Sequence, residues 1–245
     1  MYLNLTRTSE FVEYPGARLH TWSIRPREVE STFGAVFLHG AGPWGGERFM
    51  ALAEAFARLG GHAVGLDFLG HGKSDGRIVE SSLRSRQEQA EMIIEKYCPP
   101  PIPLLLFAFS MGGHTAIRIA GSLGSRVKGL GLLAPACYAR EAEDLSFGLE
   151  FSTVLRRNES WHDSPAFAAA ATFSGQVAMI VGSMDQTVPW GVTEELLRAF
   201  RNQSQSLRLD VLGDVGHNVL AAVNERPDLV TQIMTFLGGA RGLGS

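Results

Sequence analysis

The chain has 245 residues, 45% of them hydrophobic and 19% charged, with 28 glycines and 11 prolines. That balance describes about one well-buried domain with many turns, and it excludes a disordered chain or a coiled coil. A formal charge of −3 without any basic run leaves no electrostatic footprint for nucleic acid.

Two short patterns, 10–14 and 19–24, flank the turn at Pro15-Gly16 and predict an antiparallel hairpin. After it, apolar runs alternate with amphipathic stretches. Strands are predicted at 35–39, 63–67, 103–109, 127–134, 177–181 and 207–212. Most are continuously apolar, as strands covered by helices on both faces must be. Helices are predicted between them at 47–59, 82–97, 111–123, 192–201 and 227–237, the first with an apolar stripe of Leu52, Phe56 and Leu59. The alternation predicts an α/β fold, a doubly wound, mostly parallel sheet. One interval breaks the rhythm: residues 136–176 hold helical pieces but no strand signal. They are expected to form a small helical lid between two core segments, 1–135 and 177–245, whose end, 238–245, reads as a flexible tail.

Cys98 and Cys137 read as free thiols of a reducing compartment, and no Cys/His cluster has metal-ligand spacing, so neither metal nor cofactor is implied. The N-terminal stretch lacks the apolar core of a signal peptide, and the most apolar run, 103–109, is too short to span a bilayer. A cytoplasmic protein without a transmembrane segment is expected; nothing fixes its oligomeric state.

The chemistry centres on Ser110, which follows the apolar run Leu104–Phe109 and opens a helical pattern, with Ala108 before it and Gly112 after. A serine on a tight strand–turn–helix needs small neighbours at those positions so that strand and helix can approach. An attacking serine also needs a base, an acid to orient the base, and two N–H donors for the oxyanion. His217 follows the last strand in Asp214-Val215-Gly216-His217. Asp185 lies beyond the strand 177–181, where site residues of open α/β sheets collect. Ser110, Asp185 and His217 stand in the chain order such a site requires, with Asp214 and Asp163 as competing acids. The amide of Met111 and that of Ala41, in the loop His39-Gly40-Ala41-Gly42, are the candidate oxyanion donors. His39 reads as a structural residue that holds this loop.

Those segments, with Asp67-Phe68-Leu69-Gly70-His71-Gly72-Lys73-Ser74-Asp75-Gly76 and Gly182-x-x-Asp185-x-x-Val188-Pro189, resemble the α/β-hydrolase superfamily, most of all its monoacylglycerol-lipase and serine-aminopeptidase-like branch. The likeness runs over nearly the whole chain outside the lid. It departs at Ala108, where the family usually has glycine. It implies an α/β-hydrolase fold with a Ser–His–Asp triad, and a Gly70–Gly76 loop that serves as a structural turn near the site. The expected reaction is two-step acyl transfer from a small-molecule ester or thioester with an apolar acyl part. Phe147, Phe151, Trp161 and Phe167 of the lid are expected to supply walls of the acyl pocket. The same triad could instead serve biosynthetic acyl transfer or cyclisation, carbon–carbon hydrolysis or lyase chemistry. An aminopeptidase or a non-catalytic receptor is the remaining alternative.

Overall fold

A computed structural model describes residues 3–238 of the chain. Its hairpin pairs β1 (Leu5–Tyr14) with β2 (Ala17–Pro26) around Gly16, whose φ of 77° lies where a side chain is disfavoured. Both strands are longer than the sequence pattern predicts. The unpaired outer face of β1 carries mostly polar residues, so hydrophobic alternation marks only part of it.

Six further strands follow: β3 (Gly34–Leu38), β4 (His62–Leu66), β5 (Leu104–Phe109), β6 (Val127–Leu133), β7 (Gln176–Gly182) and β8 (Ser206–Leu212). The eight form one sheet in the order β1-β2-β4-β3-β5-β6-β7-β8. From β4 to β8 every neighbouring pair is parallel, and β2 joins β4 antiparallel. The chain leaves β3 toward β4 on one side and resumes at β5 on the other. The carboxyl ends of β3 and β5 therefore flank a reversal of strand order, where open α/β sheets form their crevices.

Helices cover both faces. On one lie α1 (Met50–Arg58), α7 (Val219–Asn224) and α8 (Pro227–Gly238), which bury Phe56, Val223 and Ile233 with Phe37 and Phe107 of the sheet. On the other lie α2 (Leu83–Tyr97), α3 (Met111–Leu123), α5 (Pro165–Thr172) and α6 (Trp190–Phe200), which bury Ile93, Ile117, Ala170 and Phe200 with Leu38 and Leu106. Alternate residues of β3 thus enter opposite cores, which is why its sequence reads as an unbroken apolar run. The helix predicted at 47–59 begins as a 3₁₀ turn, Gly46–Phe49, and stops at Arg58. Leu59 lies past that end and is exposed, so the buried stripe there is Leu52, Ala53, Phe56 and Ala57.

Between β6 and β7 the chain divides. Its first part, with a 3₁₀ turn at Arg140–Ala142, α4 (Leu149–Leu155) and a second 3₁₀ turn at Ser160–Asp163, holds a separate apolar cluster of Leu83, Met111, Ala139, Ala142, Phe147, Phe151 and Val154. Its second part, α5, buries Ala166, Ala169 and Ala170 in the core and occupies the ordinary crossover position. No helix among the described residues is long and apolar enough to cross a membrane. The tail expected at 238–245 lies outside the described residues beyond Gly238.

Candidate active site

Strand β5 runs straight into α3, and Ser110 is the residue at the bend. Its backbone sits at φ 54°, ψ −120°, a conformation costly for any residue with a side chain. The surroundings hold it there. The Ser110 amide donates to Leu133 O at 2.9 Å, and its carbonyl accepts from Gly113 and Ala136 at 2.8 and 3.0 Å. The bend demands close approach: a Cβ on Gly112 would collide with the Leu38 carbonyl, and one on Gly40 would lie 2.9 Å from Ser110 Cβ. Ala108, where the family favours glycine, packs fully buried in the core with room for its methyl group.

Ser110 Oγ lies 2.8 Å from His217 Nε2, and His217 Nδ1 lies 2.8 Å from Asp185 Oδ2. A carboxylate only accepts, so Nδ1 carries the proton and Nε2 accepts from the serine hydroxyl. The other oxygen, Asp185 Oδ1, accepts from the amides of Thr187 at 2.8 Å and Val188 at 3.1 Å. This fixes the carboxylate plane toward the ring. The loops bearing the two residues are stitched together by Ser183 N to Leu212 O and Met184 N to Val215 O, each 2.9 Å. The competing acids stand elsewhere. Asp214 is an exposed turn residue at φ 56° whose amide donates to Ser183 Oγ, and Asp163 is exposed in its 3₁₀ turn.

The loop after β3 is held from behind. Phe68 N donates to His39 Nε2 at 3.0 Å, so the ring proton is on Nδ1, which donates to Gly40 O at 2.7 Å. Carbonyl and N–H point opposite ways across a trans peptide. With Gly40 O turned back to the His39 ring, the Ala41 N–H points away from it. Ala41 and Met111 line the same cleft as Ser110, and Met111 opens α3, where an N–H has no helical acceptor. Burial, with the Arg86 cation nearby, holds the His39 pKa well below the ordinary histidine value and pushes that of His71 down to about 4.

Arg86 is the residue that the sequence pattern missed. It is fully buried, stacks 3.7 Å from the Phe68 ring centroid, and donates from Nη2 to the His39 carbonyl. Its Nε and Nη1 make no hydrogen bond, and burial lowers its pKa to about 9. A buried cation so poorly compensated is costly. The available signal was its place on the buried stripe of α2, with Leu83, Ala90 and Ile94, where a charge has no ordinary reason to stand.

Two hollows meet at Ser110. One, of about 270 Å³, is lined by Ser110, Ala136, Cys137, Tyr138, Leu155, Trp161, Val188 and Val192 among others, and no charged residue lines it. The second, of about 580 Å³, opens past Ala41, Trp44, Arg48, Phe151, His217 and Asn218. Phe151 and Trp161 therefore wall these spaces. Phe147 and Phe167 do not: Phe147 packs edge-on against Phe151, 4.8 Å between centroids, inside the small cluster, and Phe167 packs behind Trp161 at 6.1 Å.

Comparison with known proteins adds the family. A model described as serine aminopeptidase, S33, matches residues 34–161, more than half of the chain. The chain belongs to that S33 family. This S33 protein is 27% identical to the monoglyceride lipase of Rattus norvegicus over 180 residues, covering 62% of its own chain and 58% of the lipase. It superposes on Est1E of Butyrivibrio proteoclasticus, solved with ferulic acid bound, with TM-score 0.72 and 18% identity over 94% of this chain and 99% of that one. A predicted CIB-like hydrolase of Thermoplasma acidophilum matches with TM-score 0.69 and 16% identity over 98% and 100% of the two chains. The structural likenesses establish the α/β-hydrolase fold of the S33 protein, as its motifs led one to expect.

Proposed function

We propose that the protein is a serine hydrolase that cleaves a carboxylic ester or thioester with an apolar acyl part through an acyl-enzyme. The observation that carries this reading is the unbroken line Asp185–His217–Ser110, two bonds of 2.8 Å ending on a strained serine that faces a cleft. His217 Nε2 takes the hydroxyl proton as Ser110 Oγ attacks the carbonyl carbon. The oxygen becomes an anion held by the amides of Ala41 and Met111. His217 then returns the proton to the leaving oxygen or sulfur, and water repeats the sequence to release the acid. Residues 136–164 serve as the cover of this site, and the uncharged hollow takes the acyl chain.

The S33 name suggests aminopeptidase action. Against it, a free substrate amine needs a carboxylate, and among the described residues neither hollow is lined by one. Three acids of the cover are engaged elsewhere: Glu141 with Arg157, Asp144 with Arg84, and Glu143 with Arg118 at 2.9 Å. The deciding experiment is labelling by a fluorophosphonate, followed by p-nitrophenyl esters and acyl thioesters of graded chain length beside aminoacyl p-nitroanilides. Labelling with ester or thioester turnover is expected. Turnover of the anilides alone would overturn the reading.

A further inference from the structure

Among the described residues, the half-buried Arg118 and Arg208 are paired with the carboxylates of Glu143 and Asp210, and the half-buried Arg126 donates to the backbone carbonyls of Cys98 and Ile102. Arg48 has no carboxylate. Its guanidinium donates to the neutral Asn218 Oδ1, lies 5.3 Å from the Phe109 ring centroid, and is half-buried on the wall of the open cleft. The Phe109 ring also lies 5.2 Å from that of His217, so cation and base flank one aromatic side chain.

A half-buried cation without a carboxylate is poorly compensated, and a substrate that brings its own anion against Arg48 supplies the missing partner. The location also says which half of the substrate bears it. His217 delivers a proton to the leaving atom, and His217 lines the Arg48 cleft but not the uncharged hollow. We propose, resting on the hydrolase reading above, that Arg48 binds an oxyanion on the leaving group. The substrates are then apolar acyl esters or thioesters of an alcohol or thiol that carries a carboxylate or a phosphate. Arginine's planar fork suits both groups.

The test uses butyryl esters of three phenols: 3-hydroxybenzoate, 3-hydroxyphenyl phosphate, and the neutral 3-hydroxybenzamide. The wild type is expected to turn over at least one anionic ester with kcat/KM about tenfold or more above the amide, the scale of one charge-assisted bond. The better anion identifies the source, carboxylate or phosphate. In Arg48→Met that ratio should fall to near one, and Arg48→Lys should keep part of it. A ratio cancels any general loss from misfolding. A wild-type ratio near one, or a ratio that Arg48→Met leaves intact, overturns the proposal. Should no ester be cleaved and no fluorophosphonate label appear, the hydrolase reading fails by itself. Titration of the free phenols then reads the anion preference, and equal affinity for 3-hydroxybenzoate, 3-hydroxyphenyl phosphate and 3-hydroxybenzamide overturns it.

Discussion

Among the described residues stand two hydrogen-bonded lines of the form Ser–His–Asp. Beside Ser110–His217–Asp185 stands Ser9–His20–Asp67, with Ser9 Oγ 2.8 Å from His20 Nε2 and His20 Nδ1 2.9 Å from Asp67 Oδ2. By composition and distance they are twins. By setting they are not. Ser9 lies within regular β1, paired opposite Trp22, and no hollow described above includes it. Ser110 lies at a strained bend where two hollows meet, with Ala41 and Met111 lining the same cleft. Asp67 is buried and also accepts from the amides of Gly46 at 2.7 Å and Lys73 at 2.9 Å. Its work is to tie β2, the loop before α1 and the Gly70–Gly76 turn into one piece. On the proposed mechanism a catalytic line needs space and oxyanion donors as well as partners, and no hollow described above opens on the second line.

The largest expected effect tests this contrast at its root. Ser110→Ala should abolish fluorophosphonate labelling and lower kcat by several powers of ten, with a residue of rate from the amides. Ser9→Ala should label like the wild type. Mass spectrometry of the labelled peptide decides between them, and adduct on Ser9 would break the comparison.

The acids sharpen it. Asp185→Asn should cut kcat by about 10⁴-fold, because the amide favours the wrong imidazole tautomer, while the melting temperature changes little. Asp67→Asn should do the reverse. Losing a buried carboxylate that accepts three bonds should lower stability by about 2–4 kcal/mol in a denaturant titration, with kcat of the folded protein within about tenfold. A catalytic collapse in Asp67→Asn without loss of stability would contradict the structural role.

Next come the walls. Each methylene of acyl chain buried against Phe151 or Trp161 is worth roughly 0.8 kcal/mol, about fourfold in kcat/KM. Phe151→Ala or Trp161→Ala should therefore shift the preferred acyl length. Phe147→Ala and Phe167→Ala should lower the melting temperature and depress all chain lengths alike. The same graded ester series reads all four variants.

The smallest effect is on pH. His39, His71 and His114 are buried and their pKa values are depressed chiefly by burial. The unfolded chain takes up protons on them below about pH 6.5, while the folded chain does so only at lower pH, near 4 for His71. Their contribution is full above about 6.5 and lost as pH falls. Glu143, held low by its bond to His114, adds its loss below its ordinary value of 4.5. Stability measured by denaturant should thus decline from pH 7 to 4.5, and Ser9→Ala should show the same slope as the wild type.

What the chain alone determined is whatever local chemistry writes in order. Continuous apolar strands, the small residues around Ser110, and the acid and histidine after two late strands are each readable within about ten residues. They suffice for the sheet, for the family and for the candidate Ser110, Asp185 and His217. Tertiary structure decided the rest, because it depends on what stands across a gap. α5 reads like its neighbours before it but belongs to the core, since its alanines meet α3 and α6. Phe147 and Phe151 lie four apart on paper, yet only Phe151 reaches the cleft. Arg48 carries no local mark of importance, and Arg86 only its place on the apolar stripe of α2; burial without a carboxylate makes them notable, and a missing partner is a property of the folded surroundings. Ser9, His20 and Asp67 match the types of a catalytic line and differ only in strain, donors and space, which no residue holds by itself.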